Sequence, residues 1–310
     1  MLVSALLAVT VAFPAEGAKL PYLKECYMIG AVPRGVTNLV VQGRPVDIYR
    51  TGSWVTMVDL VEGTNTVEIA ANGEKTNRCF TVAMNLRPVK SAEFAQTAPA
   101  KEKPYEKLPY AADVPAEHPA GRAPGEKVVF LDPGHGGADT GTLSPHGFPE
   151  KDANLRVARE VRKALLEKGY RVEMTRDSDV SLDLYERPRK AHEVKADAFV
   201  SIHHNSPGFG SDPRKVRYHA VYSWNTLGEG LSADINARMA ETLDGDIPNK
   251  GPLHANFAVT RSPEIPSCLV EVDFITTPQG EEDAWSNPRR QAIGRAIADG
   301  IEDWLTKEGR

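Results

Sequence analysis

The chain has 310 residues, too long for one typical domain and comfortable for two. Its 37 basic and 42 acidic residues leave a net charge of −5, which argues against a nucleic-acid binder with the usual basic excess. With 41% hydrophobic and 25% charged residues and only 3 cysteines, it is neither a disordered chain nor a disulfide-dense scaffold.

The N-terminus is an apolar run ending at Phe13 and Pro14, followed by the small residues Ala15, Gly17 and Ala18. That order reads as the apolar region and cleavage zone of a secretory signal, so residues 1–18 are expected to be a signal peptide. The protein is then expected to be exported, to the periplasm, cell envelope or extracellular space. No Lys or Arg precedes Lys19, which a start placed too far downstream would explain; a buried first strand is the competing reading. The run is too short for a stable membrane anchor.

Residues 22–84 change to short alternating stretches. Val36–Val41, Val46–Tyr49, Trp54–Leu60 and Thr66–Ala71 are rich in β-branched and aromatic residues, with glycines at Gly43, Gly52, Gly63 and Gly73 between them. This predicts a small antiparallel β sandwich. The wording of this stretch resembles small bacterial immunoglobulin-like modules attached to surface enzymes. Cys26 and Cys79 sit at its two ends, and either a disulfide or two separate thiols fits the sequence. Residues 85–124 are crowded with Ala, Pro, Glu and Lys and lack a hydrophobic period, which predicts an extended linker; His118 lies in it.

Residues 125–310 alternate strand and helix. Val128–Leu131 reads as a strand halted by Asp132-Pro133-Gly134. Leu155, Ala158, Val161 and Leu165 share one helical face, ended by Gly169. Arg171–Met174, Ala198–Ile202, Ala220–Ser223, Phe257–Thr260 and Cys268–Val272 read as further strands. Leu231, Ile235, Met239 and Leu243 mark a second helix, and Ile293, Ile297, Ile301 and Trp304 a third. The expected fold is α/β, a central mostly parallel or mixed sheet flanked by helices, preceded by the small all-β domain. In such sheets ligands bind at strand ends.

The strand ends carry chemistry. His135 follows the first strand between glycines, Glu150 precedes the first helix, and His203 ends an apolar strand. Two histidines and a glutamate are a common ligand set for a catalytic zinc, which keeps a fourth position for water and lowers that water's pKa to about 7. Glu271 ends another apolar strand, where an isolated carboxylate is costly, and is the candidate general base. His204 is expected to point to the opposite face of its strand from His203.

Taken together, "VFLDPGHGGADTG", "GFPEKDANLRVARE", "ADAFVSIHHNS" and "CLVEVDFIT" resemble, in order and spacing, the zinc-dependent N-acetylmuramoyl-L-alanine amidases of bacteria (amidase type 3). The resemblance runs from about Lys127 to Leu305. It implies one zinc on His135, Glu150 and His203, Glu271 as the catalytic carboxylate, and hydrolysis of the amide between the lactyl group of N-acetylmuramic acid and L-alanine in peptidoglycan. A monomer acting on peptidoglycan, without nucleic acid, is expected. A peptidase of the same fold cutting within the stem peptide, or a wall-binding protein without catalysis, are the alternatives.

Arg176 and Arg187 match family arginines and read as structural; His146 reads as a surface-loop residue, His192 as a helix-end contact and Cys268 as a core thiol. His219 and His254 have no assigned role. Two departures stand out. Asp273 replaces a glycine usual after the catalytic Glu, on the side of Glu271, where its charge is expected to raise the Glu271 pKa. Thr277 stands near a usual asparagine. Residues 243–255 are too few for the cleft-blocking helix of some relatives, so an uninhibited domain is expected.

Overall fold

The computed structural model describes residues 9–84, 126–243, 245–262 and 264–307. The expected linker over 85–124, and the first eight residues of the expected signal peptide, lie outside the described residues.

The N-terminal strands are β1 (Thr10–Phe13), β2 (Lys19–Leu20), β3 (Glu25–Ala31), β4 (Leu39–Val41), β5 (Arg44–Pro45), β6 (Ser53–Asp59), β7 (Gly63–Ala71) and β8 (Glu74–Val82). They form two sheets, β1-β3-β6 and β2-β8-β7-β4-β5. Met28, Trp54 and Val58 of the first share one core with Leu39, Ile69, Phe80 and Val82 of the second, which makes the domain a β sandwich. On β7, Asn65, Val67, Ile69 and Ala71 are buried while Thr64, Thr66 and Glu68 are exposed, the period-two pattern of a half-buried strand. Asn72 and Gly73 turn β7 into β8 with φ of 48° and 87°, the left-handed pair that suits a two-residue hairpin.

The structure bears on three expectations here. Residues 10–18 of the expected signal peptide lie against the sandwich in the described structure. Thr10 pairs with Ala31 of β3, the Gly17 N–H donates to the Cys79 carbonyl, and Val9, Val11 and Phe13 pack on the sandwich core. The last part of the apolar run, Thr10–Phe13, is a strand here, and a cut after Ala18 would remove it. Cys26 and Cys79 are separate thiols, the first buried in the core. Val46–Tyr49 is not a strand, whereas β3 and β8 were not expected.

The second half comprises β9 (Val128–Pro133), α1 (Glu150–Glu167), β10 (Arg171–Met174), α2 (Glu186–Glu193), β11 (Ala198–Asn205), β12 (His219–Ser223), α3 (Thr226–Leu243), β13 (Asn249–His254), β14 (Ser267–Phe274), α4 (Pro278–Trp285) and α5 (Asn287–Lys307). The sheet order is β10-β9-β11-β14-β12-β13. Neighbours are parallel except β12 and β14, so the expected mixed sheet is observed. Leu165 of α1, Ile235 of α3 and Ile297 of α5 pack with Leu131, Val200 and Val270 on one face. Ala191 of α2 and Val259 cover Phe130 and Phe199 on the other. Phe257–Thr260, expected as a strand, instead holds a short 3₁₀ turn, Ala258–Thr260. Among the described residues no helix is long and apolar enough to cross a membrane.

A chain shortened to begin at Lys19 loses β1 and the contacts of Val11 and Phe13 with the core. We expect it to be less stable by about 2 kcal/mol, the scale of one or two partly buried apolar side chains. Urea unfolding measures this, and an unchanged midpoint would mean that the strand contributes nothing.

Candidate metal centre

The three parallel neighbours β9, β11 and β14 end side by side. His203 and Glu271 are directly paired across β11 and β14, and Ile202 pairs with Pro133, two residues before His135. The register alone therefore gathers His135, His203 and Glu271 at one edge. Glu150 arrives separately, as the first residue of α1, where the helix dipole favours a carboxylate.

His135, Glu150 and His203 each turn one ligand atom toward a common point, all within 4.8 Å of one another. Glu150 Oε1 lies 3.2 Å from His135 Nε2 and 3.1 Å from His203 Nδ1. Donors of a tetrahedral zinc sit about 3.3 Å apart, so this spacing fits the group. Gly134 makes room for it, because a Cβ there would fall on the His203 ring.

The surroundings hold each of the three side chains. The His135 Nδ1 side faces Asp139 Oδ2 at 2.8 Å, which leaves Nε2 toward Glu150. The Thr142 N–H donates to Glu150 Oε2, and the His204 N–H and Asn154 amide donate to Oε1. His204 itself is buried against Asn154 Oδ1 at 2.8 Å, and burial pushes its pKa down to about 4. His135 takes a positive φ of 62°, a rare backbone state for a side chain of this size. Two arginines fix that loop. Arg187 pairs with buried Asp132 at 2.8 Å and donates to the His135 carbonyl, while Arg176 donates to the carbonyls of Pro133, Gly134 and Lys151. Both are structural, as expected.

Burial pulls the His135 imidazole down, but hydrogen bonds and charge from Glu150 and Asp139 outweigh it and hold its pKa at about 9. Burial alone would raise Glu150, yet hydrogen bonds from His135 and His203 keep it well below the usual carboxylate range. Glu271 moves the other way: burial, with added repulsion from Glu150, pushes it well above that range. Its Oε2 is buried with no hydrogen-bond partner among the described residues.

The expected influence of Asp273 is corrected. Its carboxylate is paired with the Arg217 guanidinium at 2.6 Å, which in turn holds Asp283, so its charge is spent there and the Glu271 shift has other causes. Thr277 caps α4, its hydroxyl accepting from the Gly280 N–H. His192 meets Ser262 at the end of α2, and His254 is exposed near Glu229. His219 is buried with both ring nitrogens unpartnered among the described residues. His146 is not a free surface residue, because its Nδ1 is 2.8 Å from Glu281. Sequence reasoning missed Asp139 and Asn154; the available signals were their positions four residues after His135 and after Glu150.

A cleft of about 540 Å³ opens over the site. Leu182, Leu184, Phe257 and Val259 form its apolar wall, and Asp139, Asp183 and Glu271 its acidic part.

Residues 129–303 match the N-acetylmuramoyl-L-alanine amidase family, Amidase_3. The chain belongs to that family. It is 34% identical to N-acetylmuramoyl-L-alanine amidase AmiC of Neisseria meningitidis over 230 residues, 60% of this chain and 53% of that protein. It is 32% identical to N-acetylmuramoyl-L-alanine amidase AmiA of Escherichia coli K12, covering 59% of this chain and 77% of that protein. The amidase fold is also that of N-acetylmuramoyl-L-alanine amidase AmiC2 of Nostoc punctiforme, with a TM-score of 0.55, 34% identity, and coverage of 58% of this chain and 98% of that one. The match spans little more than half the length of curated relatives such as AmiC.

Two outcomes follow for this amidase-family site. Gly134→Ala keeps all three candidate ligand side chains in the sequence but displaces the His203 ring, so zinc affinity should fall at least about tenfold; unchanged metal content after dialysis would contradict the geometry. In metal-free protein the His135 pKa near 9 lies above the ordinary 6.5. The stabilisation from its partners is thus fully present below 6.5 and lost as pH rises through 9. Ligation needs the neutral ring, so zinc affinity should rise toward pH 9 with proton release. Calorimetry at pH 7.5 in two buffers of different ionisation enthalpy would read that release.

Proposed function

We propose that this chain is a zinc-dependent N-acetylmuramoyl-L-alanine amidase that cleaves the bond between the lactyl group of N-acetylmuramic acid and L-alanine in peptidoglycan. The observation that carries this reading is the His135–Glu150–His203 cluster beside the unpartnered buried oxygen of Glu271. One zinc would sit on His135, Glu150 and His203. The ion would supply Lewis-acid polarisation of the scissile carbonyl and a water of lowered pKa.

The other roles fall to the chain's own residues. Asp139 and Asn154 keep the His135 ring and the Glu150 carboxylate in the ligand orientation. Glu271, whose pKa burial and the charge of Glu150 raise, binds a proton more readily than an ordinary carboxylate. It takes the proton of the attacking water at Oε2 and delivers it to the leaving amine. Leu182, Leu184 and Phe257 form the apolar side of the cleft. All four residues come from one chain, so a monomer suffices.

Because the substrate lies outside the cytoplasm, the protein is proposed to act after export, in the periplasm or cell envelope. Residues 85–124 are proposed as the linker between the β sandwich and the amidase domain. Among the described residues, 245–255 form a turn and the edge strand β13 rather than a helix. Activity without an added activator protein is therefore part of the proposal.

Glu271→Gln should keep zinc and the fold while turnover falls by about 10²- to 10⁴-fold, the usual worth of a positioned acid–base group. Metal analysis, circular dichroism and product analysis on purified wall fragments test this together. Products with a free L-alanine N-terminus are expected; a cut inside the stem peptide, or full turnover by Glu271→Gln, would refute the reading.

A further inference from the structure

The β sandwich touches the amidase domain at a place that leads directly to the site. Residues 143–149 form a tight loop, closed by the Leu143–Pro149 bridge and by the Ser144 N–H donating to the Phe148 carbonyl. The next residue is Glu150, whose N–H donates to the Thr142 carbonyl and whose Oε2 accepts from the Thr142 N–H. The position of this loop is therefore the position of a proposed metal ligand.

What holds the loop is Glu281 of α4, a carboxylate only 4% exposed. Its Oε1 accepts from Ser144 Oγ at 2.6 Å and from the His146 N–H at 2.8 Å. Its Oε2 faces His146 Nδ1 at 2.8 Å and accepts from Ser53 Oγ at 2.8 Å. Ser53 belongs to β6 of the sandwich and is wholly buried. The N-terminal domain thus supplies one of four donors to a buried charge whose other three are on the Glu150 loop. Independent contacts hold the same docking: Arg50 pairs with Glu282, the Tyr27 N–H donates to the Phe209 carbonyl at 3.1 Å, and the Phe13 and Phe209 rings stack at 5.2 Å.

We infer that the β sandwich is a built-in part of the catalytic unit, docked through Ser53 on Glu281, where it braces the 143–149 loop and so positions Glu150. Ser53, His146 and Glu281 are positioning residues that act through that loop. The inference rests on the reading of Glu150 as a zinc ligand for its consequence, though not for the docking itself.

The test uses the full chain with a protease site inserted within residues 85–124. After cleavage the two halves should co-migrate on size exclusion at micromolar concentration. In the uncut chain, Ser53→Ala should weaken zinc affinity severalfold, less than the about tenfold or more that losing a direct partner of a ligand costs. Ser53→Thr, which keeps the hydroxyl, should restore it. Halves that separate overturn the docking. Wild-type zinc affinity in Ser53→Ala, or equal losses in the Ala and Thr variants, overturns the bracing. If wild-type protein binds no zinc, the metal reading fails, and co-migration of the halves decides the docking on its own.

Discussion

Glu150 carries its charge at 4% exposure, and the amidase domain around it is arranged to make that tolerable. An ion taken out of water costs several kcal/mol unless its lone pairs are filled. Here the partners come from three elements, the β9–α1 connection, α1 and β11. The Thr142 N–H comes from the preceding loop, Asn154 from the next turn of α1, the His204 N–H from β11, and imidazoles from His135 and His203. The sheet register is irregular between His203 and Asn205, which is where His204 aims its backbone at the carboxylate while its ring turns to Asn154. A cation at the centre of this group would complete the same compensation, so the stability of the loop junctions and the capacity to hold a metal have one origin.

The same rule explains the outer arginines. Asp132 is fully buried and accepts from Arg187, Thr175 and Ser201. Arg187 then has donors left for the Pro133 and His135 carbonyls. Removing one partner of such a pair leaves an uncompensated buried charge. The result is a loop in which a histidine accepts a left-handed backbone because every carbonyl beside it is tied down. Glu281 repeats the arrangement at the seam between the two halves of the chain.

The sequence made the local parts of this legible and hid the long-range ones. Strands such as Arg171–Met174 and the helix bearing Leu155 to Leu165 follow from period and breakers, and the site followed from residue types at strand ends. The register that pairs His203 with Glu271 needed only the parallel sheet. The terminal run supports two readings, because apolar residues before small ones describe a leader and an edge strand equally well. Phe257–Thr260 was misread because aromatic and β-branched residues favour strands but also fill a cleft wall. Asp273 looked like a free charge because its neutraliser, Arg217, is 56 residues away. His146 looked like surface because Glu281 and Ser53 are 135 and 93 residues distant. Buried ion pairing is decided by tertiary neighbours, and one sequence does not display them.

The two carboxylates of the site show how the fold separates roles between identical chemical groups. Both are deeply buried, so desolvation pushes both toward the neutral form. Glu150 is given donors on both oxygens and two imidazoles, and the charged form wins. Glu271 has no partner for Oε2 and feels the charge of Glu150, so the neutral form gains further. The second shift is partly a product of the first: the better Glu150 is held as an anion, the more it raises its neighbour. A pair of groups driven apart in this way is the arrangement that would let one stay ionised to hold a metal while the other trades protons. The direct pairing of β11 with β14, which puts Glu271 beside His203, is what makes that coupling short-range.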